Sequence, residues 1–332
     1  MPESGLTVGK MRGLEATSRP GGVFTILAFD HRQSFVKLMN PQTPERVTYA
    51  EVVAAKSAVV SALAPYTSAV LLDPVYGAAQ AIASGALPGQ TGLLVALEET
   101  GYGGEATARL SGLLPGWSVD KAKRMGADAI KFLVYYHPEA GEVAERQEAL
   151  VAEVIQDCWR ADLACFLEPV SYSLDPAHGK DSPEFAAGRP GLIAAIARRL
   201  GALGPDVLKL EFPVDARYDP DEANWARACR AISQASPCPW AVLSAGVEYA
   251  TFTRQVETAC RSGASGFIAG RAVWQEGISL PAPERDQWMG AVGARRLVEL
   301  GEIAERHARP WRDFFPSLAE SVREGWYLEY GE

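Results

Sequence analysis

Asp206-Val-Leu-Lys-Leu-Glu-Phe-Pro213 places a lysine inside an apolar run. Lys209 is flanked by Val207, Leu208 and Leu210. Folding such a run takes the ammonium out of water, which is costly unless a carboxylate is near or the amine has a chemical role. A desolvated lysine is the kind that attacks carbonyl carbon as a neutral amine. Two more runs share this character: Ala127-Asp-Ala-Ile-Lys-Phe-Leu-Val134 carries Lys131, and Ala164-Cys-Phe-Leu-Glu168 ends on Glu168. Strand alternation puts Val207, Lys209 and Glu211 on one face. If that face points inward, Lys209 projects to the centre of the fold with Glu211 one layer above it. The alternative is that Lys209 and Glu211, or Lys131 and Glu168, are only buried ion pairs. Such pairs are weak devices for stability, because desolvation offsets much of the attraction. Two lysines and a glutamate in separate apolar strands read instead as an active site.

Outward from this stretch, short apolar runs alternate with amphipathic ones along all 332 residues. The strand candidates are 23–29, 69–72, 92–97, 129–135, 164–167, 207–212, 240–243 and 266–269. Helix candidates between them span 44–63, 119–125, 142–160, 190–203, 221–236 and 251–262. Pro44 and Pro190 suit first helical turns, with Thr43 as a possible cap. Gly126, Gly201 and Gly263 read as helix stops. Strand–helix units of this kind predict a parallel sheet, and eight of them predict a (β/α)₈ TIM barrel. No Gly-x-Gly-x-x-Gly follows the first strand, which disfavours a dinucleotide fold. The whole chain is expected to be one domain, with the barrel over about 22–306 and a C-terminal helical and aromatic extension over 307–332. Residues 1–21 lead into the barrel, 85–91 read as a loop, and the aromatic tail packs on the barrel or on a partner subunit.

Composition narrows the function classes. The net charge of −9 gives no basic footprint for nucleic acid, while a local basic pocket for a substrate phosphate remains allowed. Five cysteines form no Cys-x-x-Cys pair and fit buried thiols in a reduced, cytoplasmic protein. Four scattered histidines show no zinc spacing. No apolar run approaches the roughly 20 residues of a membrane span, and the N-terminus does not read as a signal peptide.

Active sites of such barrels form where the strands end. Here the ends are Asp30-His31-Arg32, Asp73-Pro74, Glu98-Glu99, Lys131, Glu168, Lys209 with Glu211, Ser244-Ala245-Gly246 and Gly270-Arg271. The last two suit a phosphate: small residues, backbone N–H groups and the guanidinium fork of Arg271. Asp30, Asp73, Glu98 and Glu99 would suit Mg²⁺, or else sugar hydroxyls and the cations Lys131, Lys209 and Arg32. The second role is favoured, since the two lysines compete with a metal, so no metal or other cofactor is expected. Asp30 is the best candidate among the four for substrate contact; Asp73, before Pro74, equally fits a turn. Arg32 and Glu98 are assigned to the substrate as well.

Taken together, the runs 72–77, 98–102, 117–118, 127–136, 166–168, 206–214, 243–247 and 270–272 resemble the class I tagatose-1,6-bisphosphate aldolase family. The resemblance extends in order over roughly residues 24–275, and the lysine strand and Ser244-Ala-Gly-Val247 are its most specific parts. It implies a Schiff-base aldolase on a (β/α)₈ barrel, with Lys209 as imine-forming amine and Glu168 as catalytic glutamate. Lys131 falls on the second active-site lysine and Asp30 on the aspartate after the first strand. The implied reaction is cleavage of tagatose 1,6-bisphosphate to dihydroxyacetone phosphate and glyceraldehyde 3-phosphate, without a metal, by a homo-oligomer. The same family includes sulfofructose-phosphate aldolases, which would release sulfolactaldehyde instead. This chain carries His31 where glutamine is expected, and an extended tail; both bear on the far end of the sugar. Two rival assignments are a transaldolase-like lysine enzyme and a silent sugar-phosphate sensor. The sensor would keep Arg271 and the glycines without needing Lys131, Glu168 and Lys209 together.

Overall fold

Alternation along the apolar runs builds a barrel with a dry floor and a polar mouth. In a computed structural model describing residues 6–320, 322–328 and 330, eight parallel strands close into one ring. They are β1 (Phe24–Phe29), β2 (Ala69–Leu72), β3 (Gly92–Ala96), β4 (Ala129–Tyr135), β5 (Ala164–Val170), β6 (Val207–Glu211), β7 (Trp240–Leu243) and β8 (Gly266–Ala269). Each pairs with the next, and β8 pairs with β1. One set of alternate residues, including Ile26, Leu71, Leu94, Phe166, Val207 and Ile268, fills the barrel interior. The other set, including Leu27, Val70, Ile130, Leu167, Leu208 and Val242, packs outward on the helices. A strand buried on both faces reads as a continuous apolar run, which is why these runs show no polar alternation. The inward series passes from Ala129 to Lys131, from Phe166 to Glu168 and from Val207 to Lys209. The charged layer therefore lies one side chain above the apolar one.

The floor is closed by a helix that the sequence pattern does not signal, α1 (Val8–Thr17). Leu14 and Trp311 pack with the interior residues there. Lys10 reaches up to Asp206, 3.0 Å away, both desolvated. At Gly13 a β-carbon would lie 2.2 Å from the Asp128 carbonyl, so only glycine lets α1 approach this closely. The tail thus contributes to the floor through Trp311, while Trp326, Tyr327 and Leu328 stand exposed.

The outer helices include α3 (Tyr49–Leu63), α6 (Glu142–Arg160), α7 (Pro183–Gly201), α8 (Glu222–Ala235), α9 (Tyr249–Arg261), α10 (Arg271–Ile278), α11 (Ala282–Trp288) and α12 (Ala294–His307). Two starts differ from the expected ones. Pro44 opens only a short 3₁₀ turn, and α3 begins behind Thr48, which forms a reciprocal capping box with Glu51. Helix α7 begins at Pro183 with Ser182 as cap, so Pro190 lies inside it. Ser182 accepts from the Phe185 amide, and this cap outweighs the interior proline. Helix α5 (Val119–Met125) ends on Gly126 in the left-handed region, as expected. Short helices α2 (Gln33–Met39) and α4 (Ala78–Ala83), and a hairpin of Gly103–Glu105 with Ala108–Leu110, are additional. All five cysteines are buried free thiols. Among the described residues, no helix is long and apolar enough to cross a membrane.

Candidate active site

Five strands deliver their charged residues to one point at the barrel mouth: β1 (Asp30), β3 (Glu98), β4 (Lys131), β5 (Glu168) and β6 (Lys209). Lys131 Nζ, almost fully buried on β4, contacts Asp30 Oδ2 at 2.7 Å, Glu98 Oε1 at 2.5 Å and Glu168 Oε2 at 3.1 Å. Lys209 Nζ, on β6, lies 2.8 Å from the same Glu168 oxygen. That oxygen makes no aligned hydrogen bond although both ammonium groups are within ion-pair reach. Both contacts are ion pairs, so one carboxylate oxygen bridges the two lysines. Burial alone would raise the Asp30 carboxyl, but Lys131 and Lys209 outweigh it and hold Asp30 well below the usual carboxylate range. Burial likewise opposes the Lys131 ammonium, yet Asp30, Glu168 and Glu98 hold it well above the usual lysine range. Lys131 is thus a fixed cation held between three carboxylates. Among the described residues, no cluster of His, Cys, Asp or Glu side chains is arranged to hold a metal ion.

The remaining strand-end residues divide. Asp30, Glu98, Lys131, Glu168 and Lys209 line a cavity of about 1150 Å³ above the charged layer, large enough for a six-carbon sugar phosphate. Arg32, Ala245, Gly246 and Arg271 line it too. Arg32 donates to the Glu98 carbonyl at 2.6 Å. Among the described residues, Arg271 makes no carboxylate contact and donates to the Ala245 carbonyl at 3.2 Å. Burial pulls its guanidinium down, the signature of a cation with no anion nearby. Ala245 (φ 48°) and Gly246 (φ 82°) both adopt left-handed backbone. For alanine this is strained by about 1–2 kcal/mol, a kind of strain that clusters at binding turns. Ser244 and Gly270, read from the sequence as direct phosphate contacts, are placed differently. The Gly270 amide donates to Ser244 Oγ at 3.1 Å and neither residue lines the cavity. They tie the end of β7 to that of β8 and so position Ala245, Gly246 and Arg271. Asp73 is structural: it receives the Val75 and Tyr76 amides and pairs with buried Lys56 at 2.6 Å.

A model of the DeoC/LacD family of aldolases matches residues 24–276. The chain belongs to the DeoC/LacD aldolase family. Among curated relatives, this aldolase is 33% identical over 327 residues to a tagatose 1,6-diphosphate aldolase of Streptococcus agalactiae, covering 93% of this chain and 99% of the relative. A tagatose 1,6-diphosphate aldolase of Lactococcus lactis is 32% identical with the same coverage. Solved structures agree on the fold. A fructose-bisphosphate aldolase from Plasmodium falciparum superposes with a TM-score of 0.68 at 14% identity, covering 92% of this chain and 97% of that one. A Schiff-base-forming fructose-1,6-bisphosphate aldolase gives 0.56 at 21% identity, covering 89% and 99%.

Several cavity residues of this aldolase escape a reading of strand ends. They gather around Glu211, which lines the cavity with Lys209 as expected from its place on β6, and which accepts from Ser171 and pairs with Lys180 Nζ at 2.5 Å and, at 3.8 Å, with Arg189. Burial would raise the Glu211 carboxyl, but Lys180 and Arg189 hold it low. Arg217 is paired with Asp215 and Asp181. Lys180 and Arg217 lie in loops without a pattern, and Arg189 falls just before the helix start expected at Pro190. Among the described residues the cavity is therefore asymmetric: cations beside β5 and β6 are paired with carboxylates, whereas Arg271 and Arg32 beside β1 and β8 are not.

Proposed function

We propose that this aldolase is a class I, Schiff-base enzyme that cleaves a phosphorylated ketose, tagatose 1,6-bisphosphate, to dihydroxyacetone phosphate and glyceraldehyde 3-phosphate. The observation that carries the reading is a single carboxylate oxygen, Glu168 Oε2, within ion-pair reach of both Lys209 and Lys131. Passing a proton from Lys209 to Glu168 leaves a neutral amine, which attacks the C2 ketone. Protonated Glu168 returns that proton to the carbinolamine oxygen, which leaves as water and gives a protonated imine, an electron sink that does the work of a Lewis acid without a metal. Glu168 then takes the proton of the C4 hydroxyl. The C3–C4 bond breaks, its electrons pass into an enamine, and the aldehyde leaves. Glu168 gives the proton it took from the C4 hydroxyl to C3 of the enamine, and attack of water on the resulting imine releases dihydroxyacetone phosphate and restores Lys209 and Glu168. The fixed positive charge of Lys131 holds substrate oxygens as charge shifts, and Asp30 anchors both Lys131 and a substrate hydroxyl. Arg271, Arg32 and the Ala245–Gly246 turn hold the phosphate next to C1.

The choice of tagatose 1,6-bisphosphate rests on what the 32–33% identical relatives are named for. A coupled assay for dihydroxyacetone phosphate, run with tagatose 1,6-bisphosphate, fructose 1,6-bisphosphate and sulfofructose phosphate, tests it. The highest kcat/KM is expected for tagatose bisphosphate, unchanged by EDTA. Preference for sulfofructose phosphate would replace the substrate, and full loss in EDTA would replace the mechanism.

A further inference from the structure

His31 lines the cavity on the side of β1, and the mechanism does not use it. Its ring lines the cavity between the centre and Arg271 and packs edge-on against Trp274, with centroids 5.1 Å apart. On another side it touches Gly270 so closely that a β-carbon there would lie 3.2 Å from Cε1. Nδ1 is buried and has no hydrogen-bond partner among the described residues; Asp30 Oδ1 lies 3.8 Å away, beyond hydrogen-bond distance. A buried polar nitrogen left without a partner beside an unpaired guanidinium is an incomplete site, and an anion completes it.

We propose that His31 is a second donor at the anion end of the cavity, binding the anion as an imidazolium beside the Arg271 guanidinium, so that docking of a dianion there is coupled to proton uptake. The groups facing the ring set the direction. Burial, Arg271 on α10, Lys209 on β6 and Lys56 on α3 all oppose a charge on His31, and only Asp30 favours it. Together they push its pKa down to about 3, so the ring is neutral in the empty site at neutral pH. A dianion against Arg271 reverses the balance, adding two negative charges where cations dominated. By linkage, an anion that favours the protonated ring is bound more tightly as pH falls. The inference rests on the aldolase reading for the identity of the anion as the phosphate next to C1.

The test uses inorganic sulfate, whose double negative charge does not titrate near neutral pH. Sulfate is bound to the whole protein and followed by calorimetry in buffers of different ionisation enthalpy, with the imidazole signals followed by NMR. Wild type is expected to take up a measurable fraction of a proton per sulfate between about pH 5 and 7, a fraction that grows as pH falls. Its affinity should strengthen by up to about tenfold per pH unit as pH falls through the range of uptake. His31→Gln should bind sulfate with no uptake and a flat pH profile, and His31→Asn serves if that variant folds poorly. Binding without uptake in wild type, equal uptake in the variants, or no sulfate binding at tens of millimolar would each overturn the proposal. Borohydride trapping of dihydroxyacetone phosphate is read separately. An adduct on Lys209 without proton uptake refutes only the role of His31, and uptake without an adduct refutes only the aldolase mechanism.

Discussion

Glu168 holds the site together at the scale of single residues. Its Oε2 lies within ion-pair reach of two ammonium groups, the contact on which the proposed proton transfers depend. Glu168→Gln keeps the shape and removes the capacity for those transfers. Steady-state kinetics should show kcat lower by about 10²–10⁴-fold, the usual range for a lost general base, with the fold intact by circular dichroism. A loss under tenfold would pass the proton role to another group. The lysines and this glutamate were legible in the sequence because charge inside an apolar run has few explanations. His31 was visible only as an odd residue, since burial and the guanidinium beside it are set by the eighth strand end, far along the chain. The same limit applied to Ser244 and Gly270: their types suit a phosphate, but whether their polar atoms face the cavity or each other depends on how β7 and β8 meet.

The eight strands were legible at the scale of elements because burial on both faces writes each as an uninterrupted apolar run. Helix starts were less so. Pro190 favours a first turn by its fixed φ, yet Ser182 caps the same helix well before it, and the cap decides. The floor helix α1 carries polar and apolar residues without helical periodicity and is fixed by tertiary contacts. The turn after β7 yields a test of the anion end. Gly246 has φ 82°, and a β-carbon there would lie 2.8 Å from Arg271 Cζ. Gly246→Ala should displace the guanidinium and cost about 1–2 kcal/mol of backbone strain. KM for the sugar phosphate is expected to rise at least about tenfold, the equivalent of about 1.4 kcal/mol, with a smaller change in kcat. An unchanged KM would remove Arg271 from substrate binding.

The whole molecule is a barrel with a sealed, ion-paired floor and an open, charged mouth. Lys10 and Asp206 lock the floor without touching the chemistry. Burial already pushes the Asp206 carboxyl up in spite of Lys10. Lys10→Ala leaves that carboxylate unpaired, at a cost of about 3–5 kcal/mol read as a lower urea midpoint at neutral pH. The penalty should shrink as pH falls, because a protonated Asp206 no longer needs a partner, while activity per folded molecule stays unchanged. A midpoint equal to wild type would show that the floor is not locked there. The central claim is that the buried lysine of β6 is the amine that captures the ketone. The most direct measurement is to incubate the protein with dihydroxyacetone phosphate, reduce with borohydride and map the product by mass spectrometry. One adduct on Lys209 is predicted; no covalent adduct, or one on Lys131, would contradict the account.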